Sequence, residues 1–130
     1  AVTWIAVVVS ALLFGLIHAA NPGSTVFSSL ANALEAGVLL ALAYAATNRL
    51  WLPIGIHAGW NYAEGTIFGT AVSGASLKTS LLHGTLTGSP LLTGGAFGVE
   101  ASIIAIPVCL AAAAIFALKV KRHRLVEAPA

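Results

Sequence analysis

The stretch from Ala1 to about Asn21, AVTWIAVVVSALLFGLIHAAN, carries no charged residue, and as a helix rising roughly 1.5 Å per residue it is about long enough to cross a bilayer core. Lipid offers the backbone no hydrogen-bond partners, so a chain built from such stretches is confined to helices that satisfy themselves. Composition extends the point to the whole chain. Of its 130 residues 58% are hydrophobic and 8% charged, with mean hydropathy +0.96, against about 25% charged in an ordinary soluble domain. The net charge of +2 and pI near 9.1 do not mark a nucleic-acid partner, because four of the six basic residues, Lys119, Lys121, Arg122 and Arg124, sit together at the end. That is how a helix leaving a membrane is flanked. Cys109 is the single cysteine, which excludes an intrachain disulfide and a thiolate cluster and leaves it as a small apolar filler.

The expected fold is an all-α polytopic transmembrane bundle of about four spans, near residues 1–21, 27–46, 50–69 and 99–118, with a basic tail over 119–130. Asn21 and Pro22 end the first span. In the second, Ala33, Gly37, Ala41 and Ala45 recur every four residues, a stripe on which another helix can approach closely. Glu35 lies in the same span; an ionised carboxylate there is expensive, so it is expected near the interface, protonated or paired, with a locally hydrogen-bonded structural glutamate as the plainer explanation and a functional role as the alternative. Residues 70–98, rich in Gly, Ser and Thr, are too polar to span, and both a fold-back loop and a short interfacial helix suit them. Pro107 is a candidate kink in the last span. Basic clusters stay on the cytoplasmic side, which orients the expected protein in the cytoplasmic membrane with its C-terminus inside. The chain holds no methionine and opens in apolar sequence without a basic leader, the pattern expected of an internal piece and not of a signal peptide.

The third span is the chemically unusual one. Leu52 to Gly65 reads LPIGIHAGWNYAEG. Pro53 suits a first helical turn, His57 and Asn61 at i, i+4 share a face, and Glu64, seven residues after His57, returns close to it. With His18 on the first span, these residues make a hydrolytic or metal-binding constellation: neutral imidazole can ligate a metal, orient a water or accept a proton, and an amide can stabilise an oxyanion. The same residues also suit a non-catalytic membrane protein, a transporter part or immunity factor, whose buried His and Asn serve packing or ligand gating.

The strings FGLIH, Phe14 to His18, and LWLPIGIHAGWN, Leu50 to Asn61, in this order and in a membrane setting, resemble the CPBP family of intramembrane proteases, which includes CAAX prenyl endopeptidases and bacterial Abi proteins. Of that family's three motifs the chain matches Phe-x-x-x-His and His-x-x-x-Asn; Glu-Glu-x-x-x-Arg is absent and would fall before Ala1. The resemblance implies the C-terminal part of one intramembrane protease domain, hydrolysing a membrane-associated, prenylated or leader peptide. It implies His18, His57 and Asn61 as catalytic residues, Phe14 packed beside them, and a water-activating glutamate in the absent motif, without which this stretch alone is expected to be inactive. Glu64, read from its place on the His57 face alone, is a supporting candidate, with an interfacial structural role as the alternative. A catalytic Zn2+ would take three protein ligands, which His18, His57 and that glutamate could supply; an unmetallated glutamate mechanism uses the same residues.

A joint site makes a geometric demand. His18 comes late in its span and His57 early in a parallel one, so straight helices would leave the rings more than about 10 Å apart in depth. A short non-helical lead before Pro53 is therefore predicted. Glu100 is expected at the start of the last span, where a helix N-terminus favours it, His83 and His123 in solvent, and Trp4, Trp51, Trp60 and Tyr62 as anchors or packing residues.

Overall fold

A computed structural model describes residues 2–126, with side chains from Trp4 to Lys121. Part of the expected tail thus lies outside the described residues, as do the side chains of Arg122, His123 and Arg124. Helix α1 spans Val2–His18; α2 covers Val26–Thr47, with a π-helical turn at Ala33–Gly37; α3 covers Trp51–Asn61 and continues as a π-helix over Tyr62–Phe68. A short α4, Pro90–Thr93, and a 3-10 turn, Val99–Ala101, lead into α5, Ala105–Val126. Among the described residues there is no strand, only an isolated bridge between Val72 and Ala75. Of these helices α2 is long and apolar enough to cross a membrane, and α1 adds the shorter apolar stretch Trp4–His18.

Local chemistry sets the boundaries. Thr25 and Ser28 form a reciprocal capping box that starts α2, Thr25 Oγ1 accepting from Ser28 N at 3.0 Å and Ser28 Oγ from Thr25 N at 2.7 Å. Asn48, in the left-handed region at φ 52°, ends it. The expected non-helical lead before Pro53 is not found. α3 begins at Trp51, and Leu50 already has helical angles, because Pro53 then falls in the first turn, where its missing N–H sacrifices no bond. The last helix starts at Ala105, six residues later than expected, with Ser102 Oγ accepting from Ala105 N at 3.1 Å. Pro107 thus also lies in a first turn and kinks nothing. At its other end the helix runs on through the basic cluster as far as Val126.

α1 and α2 meet backbone to backbone. A Cβ on Gly37 would stand 2.7 Å from Ala11 Cα, and one on Gly15 would stand 2.3 Å from Ser29 O and 2.8 Å from Ala33 Cβ. The N-terminal half of the small-residue stripe is therefore the α1 contact. Val7, Leu39, Leu42, Cys109 and Ala113 form the buried core of α1, α2 and α5, with Ile56 and Trp60 of α3 packed against it. The outer face of α1 leaves Ile5, Leu12, Leu16 and Ile17 more than half exposed, a continuous apolar surface suited to lipid contact.

Gly37→Val is expected to destabilise the bundle by about 1–3 kcal/mol through overpacking against Ala11. Gly55→Ala, where an added Cβ meets nothing within 4 Å, should be neutral or stabilising by up to about 1 kcal/mol. Equilibrium unfolding in mild detergent separates the two, and equal midpoints would refute the close-approach account.

Candidate functional site

Phe14 and His18 lie one turn apart on α1, at its last two turns. His18 Nδ1 sits 2.7 Å from the Phe14 carbonyl oxygen, which can only accept. Nδ1 therefore carries the proton and donates it, leaving the Nε2 lone pair free for a proton, a water or a metal. The Phe14 ring stands 4.4 Å from the His18 ring, tilted by 34°, and 5.4 Å from the His57 ring, edge-on at 67°. Both imidazoles thus touch one phenyl ring and lie within roughly 10 Å of each other. The depth mismatch expected of straight spans is closed by side chains: the His18 ring folds back over the preceding turn, and Phe14 bridges what remains.

Phe14, His18, His57 and Asn61 together line a cavity of about 30 Å³. Asn61 is the last residue of α3, one turn beyond His57, and its buried Oδ1 has no donor. Glu64 does not join them. From Tyr62 the helix is π-helical, with an extra residue per turn, so the seven-residue return to the His57 face fails. Glu64 instead lines a second, more open cavity of about 380 Å³ with Trp60, Phe68 and Leu86; it is 7% exposed, and neither carboxylate oxygen has a hydrogen-bond partner.

The first cavity holds residues outside the expected set. Glu35, 1% exposed, lines it from the π turn of α2, and both its carboxylate oxygens lack a donor. It is enclosed by the helices and not hydrogen-bonded. Glu100 also lines it, from the 3-10 turn and not from a helix N-terminus; its carboxylate accepts a hydrogen bond from Ser73, which lines the cavity too. Glu100 stands close enough to Glu35, Glu64 and His57 to interact electrostatically. A usable signal for Glu35 was present in the sequence, a lone carboxylate in an apolar span. None existed for Ser73, which reaches the site only because residues 70–98 fold back. His83 is exposed, as expected.

The family model described as Rce1-like, type II CAAX prenyl endopeptidase, matches residues 1–63. Over these residues, just under half of the chain, the sequence is similar to the Rce1-like family. The matched segment ends just past α3, so it contains His18, Glu35, His57 and Asn61 and stops before Glu64 and Glu100. The family is one of membrane-embedded proteases, in agreement with the CPBP resemblance of the two motifs. No curated protein and no solved structure matches the chain.

Two measurements check this geometry. Nitrogen-15 NMR of the reconstituted protein should find neutral His18 as the Nδ1–H tautomer; an Nε2–H tautomer would contradict the Phe14 hydrogen bond. Ser73→Ala should free the Glu100 carboxylate and loosen the folded-back segment, speeding hydrogen exchange at the Gly74 amide about tenfold while α2 amides stay protected. Unchanged exchange at Gly74 would make the Ser73–Glu100 contact dispensable.

Proposed function

We propose that the chain forms the histidine and asparagine wall of an intramembrane endopeptidase site, which hydrolyses a peptide bond of a membrane-associated substrate such as a prenylated or leader peptide. The observation that carries this reading is the convergence of His18 and His57 on Phe14, beside Asn61, around one small buried cavity. A space of about 30 Å³ holds one or two waters. The free Nε2 of His18 can accept a hydrogen bond or a proton from such a water, His57 faces the same space, and the Asn61 amide can donate to the oxyanion formed when water adds to a carbonyl.

Zinc would need a third ligand beside the two histidines. His18 suits the role, since ligating imidazoles commonly donate their second nitrogen to a carbonyl. Among the described residues, however, no three His, Cys, Asp or Glu side chains are arranged to hold a metal ion. The described residues do not by themselves fit a zinc site, and the chemistry above uses none.

In the membrane, α1, α2, α3 with its π continuation, and α5 would make the four spans of a bundle in the cytoplasmic membrane, with the basic end of α5 on the cytoplasmic side. At 17 residues α1 is short for a hydrocarbon core of about 30 Å; local thinning of the bilayer or shielding of its end by residues 70–98 would accommodate it.

The test is cleavage by the full-length protein in liposomes, offered prenylated and leader peptides. His57→Ala and His18→Ala are each expected to reduce turnover to background, and Asn61→Ala to lower it by about 10²–10³-fold, the usual effect of losing an oxyanion donor. Cleavage retained by both histidine variants would reject the assignment.

A further inference from the structure

Glu35 is the most deeply buried of the unpartnered carboxyl groups among the described residues. It is 1% exposed, neither carboxylate oxygen has a donor, and it lines the cavity that His57 and Asn61 also line. A buried polar group left without partners is expensive and is not expected unless something completes it. The unfilled valences are all of one kind. In the ionised form, the one that can take a proton from water, both Glu35 oxygens are acceptors, as Asn61 Oδ1 always is, so the guest that satisfies them must be a donor, and the cavity's volume of about 30 Å³ suits water. The backbone supplies a second observation. Glu35 stands in the middle of the π turn Ala33–Gly37, a local irregularity in an otherwise regular span, and such turns recur at functional sites because they re-aim side chains.

We propose that Glu35 is a catalytic residue of this site, holding a water molecule in the cavity it shares with His57 and Asn61 and exchanging a proton with that water during hydrolysis. The proposal rests on the proteolytic reading above and adds to it a carboxyl group from within α2, distinct from the glutamate of the Glu-Glu-x-x-x-Arg motif. The reaction balances without another reactant. The water oxygen bonds to the peptide carbon, one water proton passes to Glu35, and the C–N bond breaks as that proton is delivered to the departing nitrogen.

Glu35→Gln keeps the shape and removes the proton exchange. In full-length protein reconstituted in liposomes it is expected to lower kcat about 100-fold or more, with KM within about threefold of wild type. The unfolding midpoint should not fall, because no hydrogen bond to another residue is lost and the glutamine amide keeps an acceptor for the water. His83→Ala, in the exposed loop, serves as the control with unchanged turnover. Glu35→Gln with kcat within about twofold of wild type would overturn the catalytic role. An independent readout is infrared spectroscopy, with the Glu35 carboxyl band identified by its loss in Glu35→Gln. Contact with water requires that band to shift when the liposomes are transferred to D2O, and a band that stays in place would overturn the water site. Should wild type cleave none of the peptides, the proteolytic reading falls and the catalytic half of the proposal with it; deuterium exchange at Glu35 then still decides the water site.

Discussion

The close contact of α1 and α2 governs the rest of the structure. Lipid supplies no hydrophobic drive to push helices together, so association depends on packing, and packing is tightest where side chains are smallest. Gly15 and Ala11 on one helix meet Ala33 and Gly37 on the other at distances that leave no room for a Cβ on either glycine. This contact brackets Glu35, which lies between Ala33 and Gly37 in sequence, and lies beside Phe14, which precedes Gly15. The residues that let the backbones touch are thus interleaved with those that line the cavity, and any loosening of the contact would displace both Glu35 and the Phe14–His18 pair.

Within this frame the polar groups are treated unequally. The buried Ser28 and Ser102 find partners, as buried polar groups normally do, and so do the half-buried Ser73 and His18 Nδ1. Glu35, Glu64 and the Asn61 oxygen do not. These exceptions are grouped: Glu64 follows Asn61 by three residues, Trp60 lines both cavities, and Glu100 interacts electrostatically with both Glu35 and Glu64. A structural role would be served as well by apolar side chains of similar volume, and more cheaply. Unpartnered acceptors grouped in this way are the pattern that the proposed site would need, where chemistry and not stability sets the side chains.

The legible part of this molecule was the part that repeats or is spaced. Apolar runs gave the helices, the four-residue stripe gave the α1–α2 contact at Ala33 and Gly37, and the two i, i+4 pairs gave Phe14 with His18 and His57 with Asn61. What failed was extrapolation along a regular helix. Glu64 belonged with His57 only if the helix stayed α, and the π-helix from Tyr62 moved it to a different cavity. Glu35 looked like a residue in need of a local partner, and its π turn holds it in the cavity without one. The non-helical lead before Pro53 answered a depth problem computed from backbone rise alone, whereas the structure answers it with the reach of Phe14 and His18. Pattern fixes the phase of a helix only until its pitch changes, and no residue type announces a π turn.

Residues 70–98 complete the argument, because their composition reflects a demand made by α3. A helix end leaves carbonyls without donors. Here Leu81, Leu82 and Gly84 donate their amides to Thr66, Ile67 and Phe68 at 2.7–2.8 Å, so the folded-back segment supplies the bonds that the π-helix cannot make for itself. To do so it must turn sharply and lie close to other backbone. Gly74, at φ 81°, donates to Phe97 O and leaves no space for a Cβ beside Pro22 O, which ties the segment to the turn that follows α1. The same turn presents Ser73 to Glu100. A segment rich in glycine and hydroxyl side chains, and charged only at Lys78, meets these requirements together. It is small enough to pack on helix ends, polar enough to cap them, and uncharged enough to lie against apolar spans.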